Sequence, residues 1–117
     1  MKPNGINIEH CFLTVLVTGD DAEFRSDLVT HLRLAGYNVL EAHDGADAFR
    51  IAIVHSRPIH LLLMDMNMEG SSPLAARLRQ YRDEMRVLFV AKADEMDKLL
   101  AKVREVLKPS TNGASAV

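Results

Sequence analysis

Residues 59–70 read IHLLLMDMNMEG, and no other stretch narrows the fold as much. Leu61, Leu62, Leu63 and Met64, with Ile59 just before them, run straight into one acid, Asp65, and then into a Gly and Ser stretch. A short apolar run closed by such residues is the pattern of a strand buried on both faces. The C-terminal end of a strand of this kind emerges at the rim of the sheet, where open α/β folds bind ligands. Asp65 is therefore expected on rigid backbone and within reach of solvent.

The chain has 117 residues, enough for one domain with a modest core. Apolar residues make up 48% and charged residues 26%, an ordinary globular balance. A net charge of −2 gives no reason to expect binding to nucleic acid or to an acidic membrane. No apolar run reaches the roughly 18 residues of a transmembrane helix. Residues 1–12 lack the apolar region of a signal peptide, so a cytoplasmic location is the expectation. Cys11 is the only cysteine, which excludes an internal disulfide and suits a buried free thiol.

Along the chain, residues 1–12 contain Pro3, Asn4 and Gly5 without a clear period and read as an N-terminal arm. TVLVT over Thr14–Thr18 is β-branched and apolar, a buried strand. Asp20 or Asp21 then caps a helix whose stripe is Phe24, Leu28, Val29, Leu32 and Ala35, and Gly36 stops it. Residues 37–41 form a shorter, more polar strand, expected at a sheet edge. The turn His43, Asp44, Gly45 leads to a helix over 46–55 with Phe49, Ala52 and Ile53 inward, and Pro58 bars its continuation. After the Asp65 strand, Ser72 is the expected cap and Pro73 the first residue of a helix that buries Leu74, Leu78 and Tyr81. Residues 86–91 give a fourth strand. Residues 93–107 give a last helix with Met96, Leu99, Leu100, Val103 and Leu107 on one face. The domain is set at 13–108, and 109–117 is read as a disordered tail.

Strict alternation of strand and helix implies an α/β fold, a three-layer open parallel sheet with helices on both faces. Right-handed crossovers place the first helix on one face and the next two on the other. The last helix is expected beside the first. The strand order is 2-1-3-4 if the chain reverses after its second strand.

In that topology the first and third strands are neighbours, and Asp20 and Asp65 meet at their C-terminal ends. Converging carboxylates repel, and a small hard cation relieves that repulsion. Mg²⁺ suits such a site, because it takes one or two carboxylates and keeps several waters. The carbonyl of Asn67 offers another oxygen. With the metal bound, Asp65 can attack a phosphoryl group. The plainer alternative is a helix cap at Asp20 and a solvated strand end at Asp65.

Three segments carry a family resemblance. VLVTGDDAEFR at 15–25, LAGYNVLEAHDGADA at 34–48 and PIHLLLMDMNM at 58–68 resemble the response regulator receiver domains of two-component systems, over about residues 14–107. The family's sheet is flavodoxin-like, so the strand order is also what the resemblance implies. It implies Asp65 as the phosphorylated aspartate, Asp20 as a metal ligand and Asn67 as the donor of a carbonyl to Mg²⁺. It also implies a histidine kinase or phosphotransfer protein as phosphate source and a downstream protein partner.

The departures are specific. Gly19 stands where the family has the first acid of its pair, so a weaker Mg²⁺ site is expected. Ala91 stands where the family has Ser or Thr. The family's fourth helix and fifth strand, with their lysine, have no counterpart, which makes this an atypical, truncated receiver. Lys92 is a substitute contact for the phosphoryl group, or simply a solvated lysine. The Pro that the family has directly after the residue matching Met68 is absent, Glu69 standing there instead.

Without a fifth strand, residues 87–90 form an edge strand that is apolar on both faces, and such edges invite pairing. A homodimer is expected, by strand-four pairing or by exchange of the last helix. The five histidines show no metal-ligand spacing. Arg77, Arg79, Arg82 and Arg86 read as a solvated helix face, since Asp83 and Glu84 interrupt them. Three functions are weighed. One is a phospho-accepting signalling domain without turnover. The second is a degenerate pseudo-receiver, a phosphorylation-independent interaction and dimerisation module. The third, weaker, is a small-molecule binder at the rim.

Overall fold

The computed structural model describes residues 13–108. The expected arm at 1–12 with Cys11 and the expected tail at 109–117 lie outside the described residues. Within them the elements run β1 (Thr14–Thr18), α1 (Ala22–Leu34), β2 (Asn38–Ala42), α2 (Gly45–Val54), β3 (Leu61–Asp65), α3 (Ser71–Tyr81), β4 (Arg86–Val90) and α4 (Met96–Val106). All four strands are parallel in the order β2-β1-β3-β4, as the alternation predicts. The chain passes from β4 into α4 with no further strand among the described residues.

β1 and β3 are buried at every position, which explains their unbroken apolar sequences. Successive side chains point to opposite faces and feed two cores. On one face Val15, Val17, Leu61, Leu63 and Val90 pack with Phe24, Leu28 and Leu32 of α1 and Leu99 and Val103 of α4. On the other, Leu16, Leu62 and Met64 pack with Ala48 and Ala52 of α2 and Ala75 and Leu78 of α3. The helices thus divide two and two: right-handed crossovers place α1 on one face and α2 and α3 on the other, and α4 lies beside α1 as expected, covering the face that α1 alone would leave partly bare.

Several local expectations shift. Asp21, not Asp20, caps α1: its Oδ1 accepts the Phe24 N–H at 3.1 Å. Gly36 does stop α1, at a φ of 101° that suits glycine. In α2 the buried residues are Ala48 and Ala52; Phe49 is half-buried and Ile53 is exposed. Small residues let α2 approach the sheet, and the bulkier ones turn to its flank. Ser72 is not the cap of α3. Gly70, at φ 76°, holds that place, and Pro73 is the third helical residue. Pro is tolerated there because first-turn N–H groups have no partner inside the helix. Tyr81 is exposed rather than buried, and its ring meets the Phe49 edge at 5.1 Å between centroids. It is the last residue of α3, beyond the part that lies on the sheet.

α4 begins at Met96, not at 93. Asp94 N–H donates to the Ala91 carbonyl at 3.0 Å, and Asp94 Oδ2 accepts the Ala91 N–H at 3.3 Å. This turn takes up the residues that the apolar pattern assigned to the helix. Arg82 is also not a solvated arginine. Its Nε donates to the Ala52 carbonyl at 2.7 Å, Nη1 to the Arg57 carbonyl at 2.9 Å, and Nη2 to the His55 carbonyl. One guanidinium therefore closes the C-terminal end of α2, whose last carbonyls have no partners within the helix.

Candidate functional site

The site is built by the parallel pairing of β1 with β3. Thr18 lies opposite Met64, so Gly19 and Asp65 are the next residues out on adjacent strands. A Cβ placed on Gly19 would lie 3.2 Å from Asp65 Cβ and 3.8 Å from Asp65 Oδ2. Position 19 therefore faces Asp65 directly, and in this chain it brings no side chain there. Asp20 follows, exposed at the same rim.

Asp65 is 5% exposed, the only buried acid among the described residues. Burying a carboxylate is costly unless hydrogen bonds or a nearby positive charge offset the lost water. The Asn67 N–H supplies one, donating to Oδ1 at 2.9 Å. That bond curls the loop after β3 over the carboxylate and keeps residue 67 beside it. The Asn67 side chain itself is exposed.

Lys92 supplies the positive charge. It follows β4, and its Nζ donates to Asp21 Oδ2 at 2.8 Å. The Asp21 hydrogen bond, more than any other influence, holds the Lys92 ammonium above its ordinary value, and the charges of Asp21, Glu23 and Asp65 add to it. Reciprocally, Lys92 and then the Phe24 N–H hold the Asp21 carboxyl below its ordinary value. Lys92 thus lies within the field of Asp65 while its hydrogen bond goes to the helix cap.

Two supports escaped sequence reasoning. Arg25, on α1, donates Nη1 to the Gly19 carbonyl at 2.5 Å and Nε to Glu41 Oε2 at 2.8 Å. It ties the β1 end to β2 and fixes the turn that carries Asp20. The partners are 6 and 16 positions away, so no local signal marks them. Thr18 Oγ1 is buried without a hydrogen bond at the end of β1. Lys92 and Asp21 are 71 positions apart, so their pairing was equally hidden.

Among the described residues, no three of His, Cys, Asp or Glu converge into a closed metal cage. Mg²⁺ does not require one, since it binds through one or two carboxylates and keeps its waters. The acids that the strand ends bring to this rim offer oxygen: Asp65 at the end of β3, and Asp20, exposed two residues beyond β1. This set fits a hard, largely hydrated cation. It lacks the extra charge that a second acid next to Asp65 would bring.

Comparison with known proteins gives the following. The family description "Response regulator receiver domain" matches residues 15–108. The phosphate regulon transcriptional regulatory protein PhoB of Pseudomonas aeruginosa is 32% identical over 91 residues, covering 74% of this chain and 39% of that protein. The chain spans less than two fifths of the length of the curated relatives it matches. Among solved structures, the receiver domain of the hybrid histidine kinase CckA superposes with a TM-score of 0.73 at 30% identity, over 81% of this chain and 99% of that one. The response regulator protein TrrA of Thermotoga maritima, solved in complex with Mg(2+)-BeF, shares the fold with a TM-score of 0.69 at 22% identity, over 81% of this chain and 99% of that one.

Proposed function

This chain belongs to the response regulator receiver domain family, a signalling domain of two-component phosphorelays, and on that premise we propose that it accepts a phosphoryl group on Asp65 and passes the signal to a protein partner. The observation that carries the reading is the buried Asp65 at the β3 end, facing Gly19, with Asp20 exposed one residue further along the chain from Gly19. A carboxylate oxygen of Asp65 forms the bond to phosphorus as the donor's bond to phosphorus breaks, and that electron pair leaves with the donor group. The Asn67 N–H holds Oδ1 and fixes the carboxylate plane during this step. Lys92 exchanges its Asp21 partner for a phosphoryl oxygen once Asp65 is modified.

Asp20, Asp65 and the Asn67 carbonyl are the residues that would hold Mg²⁺. The ion's contribution there is to neutralise charge on the transferring oxygens. The donor is a histidine kinase or phosphotransfer protein, and the domain acts in the cytoplasm as a phospho-acceptor rather than a turnover enzyme. Self-association into a homodimer belongs to the same proposal.

The test is intact mass after incubation with Mg²⁺ and acetyl phosphate. The expected result is the gain of one phosphoryl group, lost with a chelator and in Asp65→Asn. No gain in folded protein, or an equal gain in Asp65→Asn, overturns the reading. Gly19 and Ala91 favour a second reading, an interaction module independent of phosphate. No phosphoryl gain together with no Mg²⁺ binding supports it.

A further inference from the structure

The free edge of the sheet has a definite pattern. The Val90 carbonyl accepts the Met66 N–H at 2.8 Å, and the Arg86 N–H donates to the His60 carbonyl at 3.0 Å. In a parallel ladder a residue's N–H and C=O point to one side, and the next residue's point to the other. Residues 86, 88 and 90 therefore bond to β3. Val87 and Phe89 turn their N–H and C=O groups outward, with no strand beyond them among the described residues. These are the groups a sheet edge offers to another strand.

We infer that two copies of this chain join antiparallel through β4, about a two-fold axis at Leu88, into one eight-stranded sheet. Among antiparallel registers, this one bonds every outward group within the strand. Val87 of one copy faces Phe89 of the other and exchanges both bonds with it, twice by symmetry, making four hydrogen bonds. Phe89, 37% exposed, then covers the Val87 of its partner, an aromatic on β-branched pair of the kind that stabilises sheets. Leu88 faces Leu88, and Arg86 faces Val90, so no like charges are opposed. Two residues beyond the strand at either end, the same register carries Glu84 of one copy toward Lys92 of the other.

The partner is a second copy because the edge is complementary to itself in hydrogen bonds, in apolar surface and in end charges. This gives the proposed homodimer its interface. It does not depend on phosphate: Asp65→Asn dimerises equally, so failure of phosphorylation and failure of this interface are told apart.

The experiment is hydrogen exchange of unphosphorylated protein at low and high concentration, paired with sedimentation. The expected result is a dimer at high concentration, with the Val87 and Phe89 amides protected only there. The amides of residues 86, 88 and 90 are protected at both concentrations. Phe89→Pro removes an outward N–H and spares the β3 ladder, and edge strands tolerate proline at such positions. It should leave a folded monomer. If Phe89→Pro does not fold, Phe89→Lys makes the same test. A monomer throughout, or a dimer with fast exchange at 87 and 89, overturns the proposal. Protection at 87 and 89 that is independent of concentration also overturns it, because the chain then covers its own edge.

Discussion

Truncating Arg82 should destabilise the fold far more than its place on a charged helix end suggests. The guanidinium donates to three carbonyls, those of Ala52, His55 and Arg57, and its side chain is 13% exposed. A buried hydrogen bond to a charged group contributes about 1.5–3 kcal/mol. Three at full strength would sum to several times that. The Arg57 carbonyl is at the surface and can turn to water after truncation, and the other two are only part-buried. The expected loss for Arg82→Ala is therefore about 2–4 kcal/mol, a fall in Tm of roughly 10–20 °C for a domain of this size. Arg82→Lys keeps the charge but has one donor head for three acceptors, so it should recover about 1 kcal/mol at most. Urea unfolding and thermal melts measure both variants. A loss below about 0.5 kcal/mol in Arg82→Ala, the usual range for surface substitutions, would refute the account of Arg82 as the clamp on α2.

Three further outcomes follow from the structure. Burial, then the charges of Arg82 and Arg57, hold the His55 imidazole below its ordinary value of 6.5. The unfolded chain therefore binds the proton more readily. Stability should be at its plateau above pH 6.5, fall as the pH drops toward the folded value, and depend less on pH in His55→Gln, as urea titrations across pH 5–8 will show. Lys92→Ala should let the Asp21 carboxyl rise toward its ordinary 3.8, seen by carboxyl NMR, because the Lys92 bond is the main cause of its lowering. Contributions from that exposed pair to stability should be small, present above 3.8 and lost as pH falls through the folded value. Gly19→Asp should tighten Mg²⁺ binding in calorimetry, since the new carboxylate faces Asp65; the 3.2 Å contact with Asp65 Cβ means a small adjustment of the β3 end. Unchanged affinity would show that position 19 does not face the ion.

The parts of the fold that were legible in the sequence are those set by periodicity and handedness. The unbroken apolar runs of β1 and β3 could only be two-sided strands, and the alternation with helices dictated parallel pairing and the 2-1-3-4 order. Helix starts were less legible. Ser72 and Pro73 make a good local start signal, yet Gly70 took the cap because the turn after Asp65 needed a left-handed residue first. In α2 Ala52 was placed inward correctly, but Ala48 was missed and Phe49 and Ile53 were placed too deep, because close approach to the sheet favours small residues over larger neighbours. At the rim, the residue types pointed to Asp20, Asp65 and Asn67. What sequence could not supply was contact between distant positions: Lys92 with Asp21, Arg25 with the Gly19 carbonyl, and Arg82 across the end of α2.

The central claim is that Asp20 and Asp65, far apart in the chain, share one cation pocket where β1 and β3 end. Paramagnetic broadening of amide NMR signals by Mn²⁺, used in place of Mg²⁺, tests it directly. The account predicts that residues 19–21 and 65–67 broaden together at the lowest Mn²⁺ additions, while His60 and Arg86 at the opposite end of the sheet stay sharp, and that Asp20→Asn and Asp65→Asn each weaken the effect. Broadening centred on another acidic surface, such as Asp44 and Asp47, with residues 65–67 unaffected would contradict it.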